Sequence, residues 1–307
     1  MNAPQAALCK AAKNMPVLEA NERTIAAPGF AGEKETPVVR IEASRGWISL
    51  QLRELWEHRE LLYFLTWRDV KVRYKQTLLG AGWAVLQPLI TMLIFSAVFG
   101  RLAKLPSDGI PYPIFAFAAL VQWTFFASAT GRASDGLLSN AGLIKKVYFP
   151  RMAVPLARVA ACFADYIPAF ALLLLMMWYY KFAPSWHVVL VPIFVALATG
   201  TALGTGLWLA ALNVRFRDIG YVTPFLIQIW FFVTPVIYPS SLLPARWQFL
   251  YALNPMTGSI EGFRWALLGT PTLSLGKLGT CCVVVAALLL SGAIYFRRTE
   301  RHFADII

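Results

Sequence analysis

A chain of 307 residues is long enough for two soluble domains, but 58% hydrophobic and only 14% charged residues exclude an ordinary soluble composition and leave a polytopic membrane protein. The net charge of +12 does not point to nucleic acid. Most basic residues lie in connections between apolar runs, where topology and lipid head groups account for them, and no basic and aromatic strip tracks a strand.

Residues 1–45 mix Ala, Pro, Glu and Lys without an apolar run, so they read as a mobile cytoplasmic extension with no signal peptide. Residues 46–82 read as a cytoplasmic interfacial helical segment. Leu61, Leu62, Leu65 and Val72 share one predicted helix face, and Arg68, Asp69, Lys71, Arg73 and Lys75 crowd the other, the pattern of an amphipathic helix lying on a membrane surface. Asp69 precedes Arg73 by four residues, the favourable orientation for an intrahelical ion pair. The positive flank of a first span would carry the same residues. Gly80 and Gly82 let the chain bend from the surface into the bilayer.

Spanning the hydrocarbon takes about 20 residues of helix. Uncharged runs of that order predict six spans, at 76–100, 109–131, 152–180, 188–212, 219–239 and 278–296, with the spanning domain assigned to 83–307. Continuous runs, rather than alternation with period two, make the class all-α and not a barrel. The third run carries Arg158 and Asp165, which share a helix face about 10 Å apart along the axis. A charge at that depth faces a partner or a wet cavity. A packing contact with another span, with Arg158 snorkelling toward the cytoplasm, is favoured over a proton or substrate relay.

Arg132, Lys145, Lys146, Arg151, Arg215, Arg217, Arg297, Arg298 and Arg301 fall on the side of the N-terminal basic cluster. They outnumber Arg101, Lys104, Lys181, Arg246, Arg264 and Lys277 on the other side, which places both termini in the cytoplasm. Between the fifth and sixth spans, two short apolar runs broken at Asn254 and Pro255 predict a re-entrant helical hairpin on the outer side. Glu261 and Arg264, three apart, can pair locally or across a dimer axis. Trp123, Phe126, Trp230 and Phe231 lie near span ends, where an interfacial belt places such rings; ring faces also suit sugars, and both readings stay open.

The chain contains no Gly-x-x-x-x-Gly-Lys-Ser/Thr phosphate loop, and His58, His187 and His302 have no metal-ligand spacing. No paired carboxylates or serine-nucleophile motif supports hydrolysis or glycosyl transfer, so no catalytic, cofactor-binding or metal residue is assigned. Cys9, Cys162, Cys281 and Cys282 are too few and too badly placed for a disulfide scaffold.

Five ordered blocks complete the pattern: WRDVKVRYKQTLLGAGWAVLQPL at 67–89, LIKKVYFPR at 143–151, LNVRFRDIG at 212–220, LNPMTGSIEGFRWALLG at 253–269 and RRTERHFADII at 297–307. Over about residues 47–307 the chain resembles the membrane subunit of bacterial polysaccharide-exporting ABC transporters of the ABC-2 type, a family that moves O-antigen, capsule or teichoic-acid chains. The resemblance implies a homodimer of six-span subunits in the cytoplasmic membrane, passing a polysaccharide on a lipid carrier along the dimer axis. Two copies of a separate nucleotide-binding subunit would hold the ATP, with no cofactor on this chain. On the same resemblance, Lys145, Lys146, Tyr148, Phe149 and Arg151 belong to a cytoplasmic coupling helix. Asn254, Pro255, Glu261 and Arg264 belong to an outer gate, and the four rings above are candidates for the polymer path. A proton-coupled lipid-linked oligosaccharide flippase is the alternative; it needs a relay at Asp165 and no ATPase. A membrane-embedded sugar or acyl transferase would need a catalytic His or carboxylate at a membrane face.

Overall fold

Long apolar runs must satisfy their backbone groups internally, and every regular element among the described residues is helical. The structure, a computed structural model, describes residues 52–75, 82–242, 244–270, 274–301 and 303. The extension predicted at 1–45, the bend predicted at Gly80, the first residues of the first predicted span and the end of the last sequence block lie outside the described residues. Two helices come first, α1 (Leu52–Glu57) and α2 (Arg59–Tyr74). Then α3 (Gly82–Phe95) runs on as π-helical turns over Ser96–Leu102, followed by α4 (Tyr112–Ser139) and a single turn, α5 (Ala141–Ile144). Helices α6 (Ala153–Ala161) and α7 (Phe163–Tyr179) precede a short 3-10 turn and α8 (Val191–Arg215). The chain closes with α9 (Ile219–Val233), α10 (Ala245–Leu253), α11 (Pro255–Leu268) and α12 (Leu275–Glu300).

Among the described residues, five segments are long and apolar enough to cross a membrane: Val85–Leu102, Tyr112–Ser139, Ala153–Tyr179, Trp186–Arg215 and Gly276–Glu300. The fifth predicted run is shorter than expected. Thr234 precedes Pro235, which disfavours helix in the residue before it; Thr234 is extended and α9 ends after 15 residues, about 22 Å of rise. In the second run the helix continues past the predicted end to Ser139, so Arg132 and Asp135 ride on α4 and not in a connection. The third run is two helices meeting at Cys162.

Helix α4 is the most buried of the five and packs against α3, α6, α7, α8 and α11. Helices α8 and α12 approach closely where Gly204 faces Gly292. A Cβ at Gly204 would stand 2.8 Å from the carbonyl carbon of Leu288, and one at Gly292 would stand 2.5 Å from the oxygen of Gly204. Small residues let helix backbones touch where lipid gives no hydrophobic drive to associate. A second apolar cluster, with Leu65, Phe149, Phe296 and Phe303, closes the basic end of the bundle.

Helix α2 packs on α6 with Leu61, Leu62 and Leu65 of the predicted apolar face inward, but the two faces do not separate apolar from charged residues as predicted. Leu65 is buried, but Val72 is exposed with Tyr63, Phe64 and Trp67, whereas Arg68, Asp69 and Arg73 are partly buried. Hydrophobic periodicity ranks faces by apolarity and is blind to charges that have partners across the helix boundary.

Substituting Gly204→Val should force α8 from α12, because the obstructing atoms are backbone. Overpacking of this kind costs about 1–3 kcal/mol. Thermal unfolding of the detergent-purified chain should show the lowered midpoint.

Candidate functional site

Charged residues at the basic end form a lattice between α2 and the broken third span. Asp69 Oδ2 lies 3.0 Å from Arg158 Nε, an ion pair not aligned as a hydrogen bond, and Asp69 Oδ1 accepts from Arg68 at 2.9 Å. Arg68 also donates to Asn140 Oδ1 at 2.6 Å, and Arg158 donates to Ser139 Oγ at 2.7 Å. One turn further along α2, Arg73 and Tyr74 donate to the two carboxylate oxygens of Asp165. The predicted Asp69–Arg73 pair is therefore absent among the described residues; each takes its partner from α6 or α7. Arg158 and Asp165 make packing contacts, as the sequence favoured, but with α2 and not with another span. A surface pair contributes up to about 1 kcal/mol and breaking a buried one costs about 3–5, so these half-buried pairs fall between. Lys71 is exposed on the outward side of α2.

The segment read as a coupling helix is helical for one turn only. Phe149 precedes Pro150 and lies in non-helical chain, where neighbouring side chains take opposite sides. Lys145, Lys146, Val147 and Tyr148 are exposed, Tyr148 at 77%, whereas Phe149 is 5% exposed within the cluster at the basic end. Arg151 points inward as well: its amide donates to Glu300 Oε1 at 3.1 Å and its Nη1 to the Glu300 carbonyl at 2.7 Å. Glu300 also takes Arg297 at 2.6 Å. This role of Glu300 was not legible, because nothing in sequence ties residue 300 to residue 151.

At the opposite end the predicted break falls where expected. Asn254 ends α10 and caps α11, its Oδ1 accepting from the Met256 amide at 3.1 Å and from Trp230 Nε1 at 2.9 Å. Its Nδ2 donates to Thr234 Oγ1 at 3.0 Å, which fastens the junction of α10 and α11 to the end of α9. Pro255 opens α11, a helix buried over nearly its whole length against α4, α8 and α12. Where Gly262 meets the Phe194 ring there is no room for a side chain. Arg264 is 2% exposed and donates to the carbonyls of Phe115, Pro235 and Val236 at 3.1, 2.8 and 2.7 Å. Its guanidinium carbon sits 3.5 Å from the centroid of the Phe115 ring. No ion pair joins it to Glu261 of the same chain among the described residues, so the local pairing read from their spacing does not occur. Glu261 is buried with Oε1 unpartnered. Burial pushes its carboxyl above the usual carboxylate range, against opposing pulls from Ser240, Lys277 and Arg264.

Trp123, Phe126, Trp230 and Phe231, separate in sequence, form one cluster between α4 and α9. Trp123 stands 5.2 Å from Phe126 and 5.4 Å from Phe231, and Phe126 stands 5.0 Å from Trp230. In this structure they face one another. Among the described residues no three His, Cys, Asp or Glu side chains are grouped to hold a metal ion.

A family model of ABC-2 type transporters matches residues 60–268. Among curated proteins, the O-antigen export system permease protein RfbA of Myxococcus xanthus is 31% identical over 260 residues, covering 83% of this chain and 98% of that protein. The protein of the same name from Klebsiella pneumoniae is 28% identical over 252 residues, covering 81% and 95%. The polysialic acid transport protein KpsM of Escherichia coli is 24% identical over 240 residues, covering 76% and 91%.

Arg264→Lys should lower the unfolding midpoint markedly, since the point-like ammonium lacks the spread by which Nε, Nη1 and Nη2 reach three separate carbonyls, and each buried orphan costs about 1–3 kcal/mol. Glu261→Gln should not. A carboxyl whose folded pKa is raised supports the fold while protonated, and that support is lost as pH rises through the folded pKa. The melting midpoint of the wild type should therefore fall as pH climbs above the ordinary glutamate range, about 4.3, while the midpoint of the Glu261→Gln variant should fall less.

Proposed function

The chain belongs to the ABC-2 type transporter family, and from that we propose that it is the permease subunit of an ATP-driven exporter moving a lipid-linked polysaccharide across the bacterial cytoplasmic membrane. The carrying observation is the similarity to export permeases over nearly their full length, with the family match extending through α11. The five long apolar helices support a transmembrane body. Helix α9, continued by the buried chain at 234–237, supplies a sixth crossing, and α10 with α11 returns into the outer half as a re-entrant pair. The basic end faces the cytoplasm together with both termini.

On this reading α2 rests at the inner surface with Tyr63, Phe64 and Trp67 toward lipid head groups and Lys71 among their phosphates. Two copies of the chain pair through α3 and α9. These helices touch through Phe95 and Phe231, and they expose a shared apolar surface that includes Leu93, Ile94, Phe225 and Phe232. The polysaccharide passes along that axis near Trp230 and Phe231, with Asn254, Pro255, Glu261 and Arg264 framing the outer gate. Two nucleotide-binding subunits, which carry the ATP, dock on Lys145, Lys146 and Tyr148; Phe149 and Arg151 fix that loop to its own subunit. The chain itself needs no cofactor and binds no nucleic acid. The ion pair of Asp165 with Arg73 favours this reading over a proton-coupled flippase, which would need that carboxylate for a relay.

Disrupting the gene in its host should leave polysaccharide inside the cell while its synthesis continues; undiminished surface polymer would defeat the proposal. The loop supplies a sharper contrast. Tyr148→Ala should leave the melting midpoint unchanged and reduce co-purification of the ATPase, whereas Phe149→Ala should destabilise the chain by about 3–5 kcal/mol. Equal ATPase recovery from wild type and Tyr148→Ala would remove the loop from the interface.

A further inference from the structure

A cleft of about 460 Å³ opens between the end of α2, the start of α3, the basic half of α4 and the start of α7. Its walls are unlike at the two ends. Arg73 and Arg132 stand at the basic end of the cleft and Trp123 at the other, with Tyr74, Phe125 and Asp165 among the residues lining it. Trp123 is nine residues before Arg132 on the same helix, which sets the two ends about 13 Å apart. A cleft of this size lies in the range of small-molecule sites.

Three guanidiniums lie close here: Arg73 and Arg132 line the cleft, and the Arg158 side chain packs against Gly136, one turn along α4 from Arg132. Two are matched by carboxylates, Arg73 by Asp165 and Arg158 by Asp69. Arg132 is half-buried, and among the described residues it makes no hydrogen bond or ion pair. Holding a third cation beside two others, partly out of water, disfavours the empty cleft and favours an anion within it. Arginine presents a planar fork suited to phosphate.

The length of α4 sets the depth. With Tyr112 at one boundary of the hydrocarbon, about 30 Å of bilayer is crossed in about 20 residues, which brings the other boundary to Arg132, the level of phosphate head groups. The site therefore has the polarity of an amphiphile standing in the leaflet, phosphate at Arg132 and chain beside Trp123.

We propose that this cleft binds the phosphate head group of a membrane lipid, with Arg132 as its principal contact and the aromatic end receiving the start of the lipid chain. The inference rests on the reading of this end as the inner boundary of a membrane permease. Two lipids share the required chemistry, an isoprenoid diphosphate of the kind that carries polysaccharide and an anionic phospholipid of the bulk bilayer.

The test is native mass spectrometry on the full-length chain in an uncharged maltoside detergent. A polyprenyl diphosphate, phosphatidylglycerol, the neutral polyprenol and inorganic pyrophosphate are titrated separately. One lipid phosphate per chain should be retained, and whichever of the two binds more tightly identifies the source. Arg132→Gln should weaken retention by about tenfold or more, while Arg132→Lys, which keeps a charge without the fork, should lose less. Because no described residue partners Arg132, Arg132→Gln should elute and melt like the wild type. Should it fold poorly, wild-type binding must still weaken with added salt, as an ionic contact in a partly open cleft does. Equal binding by Arg132→Gln, equal binding of polyprenol, salt-independent binding, or pyrophosphate binding as tightly as the lipid would each overturn the proposal. Export is scored separately with the ATPase subunit present. A chain that binds lipid phosphate but never exports polysaccharide refutes the permease reading and leaves the site, while normal export without such binding does the reverse.

Discussion

The guanidinium of Arg264 holds together a stretch of backbone that has no other way to be buried. Residues 234–237 leave α9 in irregular form and are shielded from solvent, so their carbonyls need partners within the protein. Arg264 takes those of Pro235 and Val236, and the Tyr112 hydroxyl takes that of Ile237 at 2.9 Å. The third bond from Arg264, to Phe115, joins the same knot to the start of α4. The shortness of α9, the placement of α11 inside the bundle and the anchoring of α4 thus share one cause. Seen this way, Arg264 is neither a topological marker nor half of an ion pair; it is a cation used as a three-way hydrogen-bond donor.

At the other end the organising rule is charge matching between helices. Asp69 and Arg73, one turn apart on α2, meet Arg158 and Asp165, and this pairing decides which way α2 turns. With Asp69 and Arg73 directed inward, the helix presents Tyr63, Phe64 and Trp67 outward beside the exposed Lys71.

The fold was legible wherever a local rule suffices. Uncharged runs marked the long helices, and Asn254-Pro255 marked the break between α10 and α11 because proline acts on the residue before it. The end of α9 at Thr234-Pro235 followed the same rule but was masked by the apolar residues beyond it. What stayed hidden depends on partners distant in sequence. Spacing put Glu261 with Arg264 and Asp69 with Arg73, yet the partners found are carbonyls, or charges some 90 residues away. In sequence Arg132 is the positive edge of a connection, and only the continuation of α4 to Ser139 places it on a helix wall, in one cleft with Arg73 and a turn from where Arg158 packs.

The alternation at Tyr148 and Phe149 has a mechanical side. One ring stands in solvent and its neighbour is embedded among Leu65, Phe296 and Phe303, with Arg151 tied to Glu300 two residues further on. A load applied at Tyr148 has little slack to take up before it reaches residues of α2 and α12 at once. The segment is a short tether clamped at its base to two separate helices, so its tip has no length of free loop to lend between them.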